Sequence, residues 1–515
     1  ANNFVESVEN TNNSYYVFIG LANPTGAPTL AGFGRTSDWD SNTPAPTDSF
    51  SYRAHSGDTM MFGKRISSAN IRRIIRRVDW TEGSRYEIYR DDYSATNQSP
   101  LTQANRLYDA NYYVLNSDFK VYVCIDNGSS GDNPTGNVSQ DEPTFTDLEP
   151  SKAGSSGDGY VWKYLFTISP SDIVKFDSTE FITVPNSWST STDSQIRNVR
   201  ENGDSNTNLN QIKHIYIENS GVGYKNGTGQ EVDIIGDGIG AKARVDVTGG
   251  KITNVSVSSG GKGYTYALVD LGNIRTTAVS TNAKLVPIIP PSLGHGYDIY
   301  TELGTDKVIC YARFDDTTKD FPTDTTFSQI GIVKNPTKPD STDIFTADSY
   351  SSLQAVKFSS VTGTPKVGEV IQQVLTVAPN NGKIARGYIA SFDEETKVLK
   401  YFRDRSLNFN TTELDHTDYV GISTDGRIFQ FESSVNGSVI KGDESGFTGS
   451  VETGFTGVST ITSGNKLVNL GTNFNAGLSQ SEINKGSGEV IYLDNRPEIT
   501  RSTRQKEDIK IILEF

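Results

Sequence analysis

Apolar and polar positions alternate with period two along much of this chain. In the last stretch, Ile509, Ile511, Leu513 and Phe515 alternate with Lys510, Ile512 and Glu514, the pattern of a strand with one strongly apolar face. That pattern predicts a strand that ends inside its own sheet, since a dangling apolar strand would aggregate; an ordinary edge hairpin fits the same local chemistry. Before it, Val490 to Leu493 form a second apolar run, punctuated by Asp494-Asn495-Arg496-Pro497, residue types that favour turns or cannot extend a ladder. Similar runs occur at Tyr15 to Leu21, Val308 to Phe314, Val367 to Ile371, Ala385 to Ala390 and Lys397 to Phe402. Tyr112 to Ile125 holds two runs joined by Asn116-Ser117-Asp118, a hairpin signal. Asp158 to Ile168 (DGYVWKYLFTI) places large aromatics on both faces of one strand after a Gly-supported turn, so the strand must be covered on both sides.

One segment reads differently. Ile71, Ile74, Ile75 and Val78 fall at i, i+3, i+4 and i+7, which predicts a helix whose remaining arc carries Arg72, Arg73, Arg76 and Arg77. The arginines could serve nucleic acid; the reading favoured here is a helix whose outer face forms ion pairs within an acidic chain.

An internal repeat lies between residues 205 and 285. Ile215 to Tyr224 (IYIENSGVGY) aligns with Val255 to Tyr264 (VSVSSGGKGY) at an offset of 40 residues, since 261 − 221 = 40. Each copy is an alternating strand running into a G-x-G-Y turn, which predicts a small duplicated β unit. Gly236, Gly238 and Gly240 resemble a nucleotide fingerprint only in part: they open a strand, where the fingerprint needs G-x-G-x-x-G opening a helix. Gly442 to Gly457 repeats Ser445-Gly446-Phe447-Thr448-Gly449 as Thr453-Gly454-Phe455-Thr456-Gly457 and is expected to be a flexible loop or a short hairpin.

Composition agrees with a mainly β, turn-rich protein. The chain has 515 residues, enough for about three or four domains, and contains 48 Gly, 24 Tyr and 24 Phe against 2 Met. A net charge of −15 argues against a broad nucleic-acid-binding surface. Cys124 and Cys310 sit far apart in apolar runs and are expected to be buried free thiols; two cysteines cannot make a Cys-based metal site. No leader or membrane-spanning apolar run is evident, and Ala1 suits removal of an initiator Met.

Candidate chemistry is sparse. His295 lies between two glycines with no second His or Cys nearby and is read as a loop histidine; Asp315, Asp316, Asp320 and Asp324 read as a solvated loop. The Asp126 to Gly159 loop lacks the spacing of a calcium loop. No nucleophile elbow, P-loop or zinc-helix motif occurs, whereas paired carboxylates of a glycosidase are set in three dimensions and leave no local signature. No catalytic, cofactor-binding or metal-ligating residue is therefore assigned, and no cofactor is expected.

Four separated blocks carry a resemblance: Gly34, Arg35 and Trp39 before a PTDS run, with Arg76, Arg77, Asp79, Trp80 and a following Tyr86; Asp158, Gly159, Tyr160, Trp162 and Tyr164; Gln329, Asn335 and Pro336 in FSQIGIVKNP; and Glu489, Tyr492, Asn495, Arg496 and Pro497 in GEVIYLDNRPEI. In this order they resemble the baseplate wedge subunit of T4-like contractile-tailed phages, the gene-product-eight family. The resemblance covers about 1–204, 286–338 and 487–515. It implies a β-sandwich core with few short helices, divided as 1–204, 286–338 and 487–515; the two inserts depart from the family, and their own strand patterns predict a duplicated β module at 205–285 and a small barrel or sandwich at 339–486. It further implies a non-enzymatic structural subunit of the virion tail, assembled in the host cytoplasm. Its partners would be a second copy of itself and other wedge proteins, with neither nucleic acid nor membrane. The rival expectation is a tail-associated carbohydrate-binding or polysaccharide-degrading protein.

Overall fold

The computed structural model describes residues 1–21, 50–203, 209–315, 326–403, 430–433, 439–463, 466–470, 473–500 and 505–515. Among the described residues strands predominate and helices are few and short, so the chain is mainly β. Among the described residues no helix is long and apolar enough to cross a membrane. The chain divides into two compact units: the first comprises Ala1, 72–309 and 512–515, the second 2–71 and 310–511.

In the first unit, Tyr113–Leu115, Lys120–Asn127 and Tyr160–Thr167 form an antiparallel sheet. The expected hairpin is present: the Asn116 side chain accepts the backbone N–H groups of Asp118 and Lys120 at 3.0 and 2.8 Å. Burial is nearly continuous along Tyr160–Thr167, and Trp162, Tyr164 and Leu165 are fully enclosed in a core shared with Tyr112, Tyr122 and Trp188.

The helix expected over 71–78 is not formed. Ile71–Arg76 is a strand whose residues Arg73 to Arg76 pair with Val184 to Phe181. Three isoleucines fit a pleated surface, and the ladder to a strand more than 100 residues away outweighs a weak local helical preference. The arginines consequently do not share one solvent-facing arc. Arg73 is buried with its guanidinium 4.1 Å from the Tyr300 ring centre, Arg72 pairs with Asp172 at 2.9 Å, and Arg77 bridges Asp79 and Asp177, each at 2.9 Å.

The repeated segment belongs to the first unit and has its own apolar core, including Ile212, Tyr224, Val232, Val245, Ile252 and Tyr264. Its strands are Lys251–Lys262, Ile239–Thr248, Gly227–Gly236 and Ala267–Val269, in that sheet order, plus the pair Ile215–Asn219 and Lys284–Pro287. The two copies exchange bonds. Ile212 N–H donates to Gly260 O, and Ile252 N–H donates to Ser220 O, both at 3.0 Å; the residues of the second bond are those of the first shifted by 40. Tyr224 and Tyr264 are both buried, and their hydroxyls accept Ala283 N–H and Ala241 N–H at 2.9 and 3.1 Å. Gly223 and Gly263 take φ of +93° and +76°, a region in which side chains are strained. The Gly236 to Gly240 glycines join two strands through a turn, which removes the nucleotide reading.

In the second unit a five-stranded antiparallel sheet runs in the order Ser349–Ser351, Phe62–Ile66, Tyr15–Gly20, Thr326–Lys334, Glu489–Thr500. Tyr15–Gly20 is central and wholly buried. The Asp494 to Pro497 stretch does not terminate its strand as expected. Glu489–Thr500 is continuous, and its register jumps from Asn495 opposite Gln329 to Ile499 opposite Phe327. Pro497 sits in that bulge on an edge strand, where its missing N–H breaks no ladder. Along Glu507–Glu514, Ile509 and Ile511 are buried and Leu513 half-buried, but Phe515 is 58% exposed. The terminal aromatic therefore does not join the buried face expected of it.

A second β unit closes into a barrel. Val398–Phe402, Ile384–Asp393, Val370–Val374, Ile440–Gly442, Thr448–Val451 and Gln354–Thr362 pair in sequence, and Gln354–Thr362 returns to Val398–Phe402. Val356, Phe358, Ile371, Ile389, Leu399, Tyr401 and Phe447 fill it. The glycine-rich 442–457 stretch takes the hairpin alternative: Ile440 and Lys441 pair with Gly449 and Thr448, and Phe447 anchors the turn in the core.

Candidate functional site

The residues singled out by the resemblance gather in two places, one in each unit. Gly34, Arg35 and Trp39 lie outside the described residues, as do Asp316, Asp320 and Asp324.

In the first unit Arg77 holds Asp79 through two bonds of 2.9 and 3.0 Å. This contact, chiefly the hydrogen bonding to Asp79, raises the Arg77 pKa above its ordinary value. Arg76 Nη2 donates to the carbonyls of Asp109 and Ala110. Trp80 Nε1 donates to Ser139 Oγ at 3.0 Å, while Trp80 N–H donates to Leu115 O and Leu115 N–H to Val78 O at 2.8 and 2.7 Å, welding the segment to the hairpin. Tyr86 N–H donates to the Tyr160 hydroxyl at 2.9 Å, which donates to Asn137 O at 2.8 Å. Burial pushes the Tyr160 hydroxyl pKa up, so it stays a neutral donor. The Tyr160 and Trp162 rings stack at 5.3 Å, and Tyr86 meets both edge-on at 6.3 and 5.7 Å. Asp158 accepts N–H groups of Tyr160 and Gln140, both at 2.9 Å. Gly159, at φ +90°, leaves no room for a Cβ, which would stand 2.9 Å from Gly128 Cα. Tyr164 shares a hydrogen bond with Thr167 Oγ1 at 2.8 Å.

In the second unit Gln329 Nε2 donates to Asn495 Oδ1 at 2.9 Å inside the sheet. Asn335 takes φ +52°; its Oδ1 accepts Ser14 N–H at 2.7 Å and its N–H donates to Ser14 O at 2.7 Å. Pro336 is buried next to it, Glu489 stands opposite Lys334, and Tyr492 opposite Ile332. Arg496 closes on Asp494 at 2.6 Å. In both clusters most of these polar atoms are turned to neighbouring backbone or to one another, whereas Trp162 Nε1 and Gln329 Oε1 are buried without a hydrogen-bond partner among the described residues. This arrangement fixes turns, a bulge and an aromatic core.

A buried polar group was not legible in the sequence. His295 Nδ1 and Glu302 Oε1 lie 2.7 Å apart, Glu302 Oε2 accepts Gly296 N–H at 2.8 Å, and Tyr89 meets the imidazole edge-on at 4.8 Å. His295 is thus a loop residue, but an enclosed one. Nearby, Lys163 Nζ donates to Leu148 O, and burial lowers the Lys163 pKa to about 8. The only sequence signal was a Gly-His-Gly followed by an acidic residue in the next helix, Ile299–Leu303, which Asp298 caps. Cys124 and Cys310 are free and buried as expected, and burial raises the Cys310 thiol to about 12. Among the described residues no group of three or more His, Cys, Asp or Glu side chains could hold a metal ion.

No protein-family model matches the sequence, and no curated protein matches it at a significant level.

Proposed function

We propose that the chain is a structural subunit of the baseplate wedge of a contractile phage tail, acting as a homodimer that holds other wedge proteins in place and takes part in rearrangement when the sheath contracts. The observation that carries this reading is the set of four sequence blocks in the family's order. The hydrogen bonds of Arg76, Asp158, Tyr160 and Asn335 to backbone groups support it: such ties are the property wanted in a part whose work is mechanical. The assembled protein would reside in the virion, built in the host cytoplasm, and the reading assigns it no catalytic step.

The test is a cryo-electron microscopy map of intact tails with the chain traced into it. Two copies in each wedge, contacting other wedge proteins, are expected. Absence from the baseplate, or placement in a fibre or spike, overturns the reading. The rival reading, a polysaccharide-degrading tail protein, predicts turnover of a host polysaccharide that one Asp or Glu substitution abolishes.

A further inference from the structure

A cavity of about 340 Å³ opens within the second unit, between the Phe50–Thr59 helix, the turn at Pro339 and Asp340, the start of Gln354–Thr362, and the chain at 480–485. Its size is that of a small-ligand site, but its lining is not apolar. Among the described residues it is lined by two acids (Asp58, Asp340), two bases (Arg403, Lys485) and the amide residues Gln354, Gln430, Gln480 and Asn484, with Ile483 and Pro339 the only apolar contributors. The wall is held in place: Arg403 Nε donates to Gln354 Oε1 at 3.2 Å, Lys485 Nζ donates to Asp58 O at 2.8 Å, and Ser481 Oγ donates to Ile483 O at 2.7 Å. Asp58, Gln354 and Ile483 are themselves buried, so these groups are set by the fold rather than by solvent.

The mixture of groups restricts what can enter. An apolar ligand would strip water from the amides and charges without replacing their hydrogen bonds, at a cost that rises with each group left unpaired. An anion such as phosphate would meet two cations but also two carboxylates, and gains no net field. An uncharged ligand bearing many hydroxyls satisfies both kinds of group at once, since each hydroxyl donates to a carboxylate or amide oxygen and accepts from an amide, guanidinium or ammonium N–H. We infer that this cavity is a binding site for a monosaccharide-sized unit of a glycan, read by hydrogen bonds. Among the described residues no aromatic ring lines it, so the described groups supply orientation and selectivity through hydrogen bonds. The inference is independent of the wedge assignment: a wedge subunit and a tail protein of another kind could both carry such a site.

The test uses the full chain and four probes, D-glucose, D-galactose, N-acetyl-D-glucosamine and L-rhamnose, with inorganic phosphate as a fifth, in saturation-transfer NMR. At least one sugar is expected to give saturable transfer that phosphate does not displace. Gln480→Leu, a change at an exposed side chain, and Arg403→Ala should each weaken it about tenfold or more, corresponding to 1.4 kcal/mol. Both variants should keep the circular dichroism and melting transition of the parent; because Gln480 is exposed, its variant remains informative if Arg403→Ala fails to fold. No saturable transfer from any of the four sugars overturns the inference, as does displacement by phosphate, or sugar binding unchanged by Gln480→Leu.

Discussion

The repeat module of the first unit and the barrel of the second solve the same problem by different chemistry. Each must close a short-stranded β layer around a small apolar core. The module closes with neutral groups. Its two copies exchange backbone bonds, Ile212 to Gly260 and Ile252 to Ser220, and each G-x-G-Y turn inserts a tyrosine whose hydroxyl takes up a backbone N–H. The barrel closes its Lys366 to Glu369 turn against residues 444–445 with one buried carboxylate. Glu369 accepts the N–H groups of Lys366, Glu444 and Ser445 and the Ser445 hydroxyl, at 2.6 to 3.1 Å. Burial alone would raise the Glu369 pKa, but these four donors hold it below the ordinary value. A closure built on left-handed glycines depends on backbone geometry and is intolerant of side chains. A closure built on a carboxylate tolerates backbone variation but depends on ionisation.

The largest break should come from the module's turns. At Gly223, φ is +93° and a Cβ would lie 2.2 Å from Ala278 O and 2.6 Å from its carbonyl carbon. Gly223→Val should destabilise the module by about 3 kcal/mol or more. Hydrogen exchange should speed up across 209–289 while amides of the 354–479 barrel keep their protection. Gly229→Ala is the control: φ is +64°, but nothing lies within 4 Å of a Cβ there, so it should cost only about 1 kcal/mol. Equal losses from the two would show that conformation, not the close approach, governs the turn.

In the barrel, Glu369→Gln replaces an acceptor-only carboxylate with an amide that must also find acceptors, and it should cost about 2–3 kcal/mol. The sign with pH follows from the lowered pKa. The stabilisation is complete above the unfolded value, near 4.5, and is lost as pH falls through the folded value. Melting scans in acid should therefore show a decline in the parent that Glu369→Gln lessens. An acid limb identical in parent and variant would remove Glu369 from the comparison.

A buried charge whose removal should stabilise the fold sharpens the contrast. Lys400 lies in the barrel strand Val398–Phe402, buried, with its ammonium 5.4 Å from the Phe62 ring centre. Burial lowers its pKa to about 8 from 10.5. Between these values the unfolded chain holds more protons, so stability should rise with pH over that window. Lys400→Met should flatten the rise and raise the melting temperature at neutral pH. A Lys400→Met protein that melts lower at neutral pH would mean that the cation–ring contact outweighs the burial cost.

The sequence by itself determined the elements whose signals are local. Apolar runs located the Tyr15–Gly20, Tyr160–Thr167, Lys307–Phe314 and Val398–Phe402 strands, and Asn116-Ser117-Asp118 gave the hairpin, because turn conformation depends on a few neighbouring residues. The offset of 40 identified the paired G-x-G-Y turns. Only the tertiary structure decided that Ile71–Arg76 is a strand, since its partner at Phe181–Val184 lies more than 100 residues away and no local pattern encodes that ladder. It likewise decided that Asn495 and Pro497 sit in a bulge opposite Phe327 to Gln329, that Phe515 stays largely exposed, and that His295 meets Glu302. The polar cavity belongs to the same class, since Asp58, Asp340 and Lys485 come from three distant stretches of chain. Backbone preferences are properties of short segments and are written in them. Registers, buried charge pairs and cavities are properties of surfaces that exist only after distant segments have met.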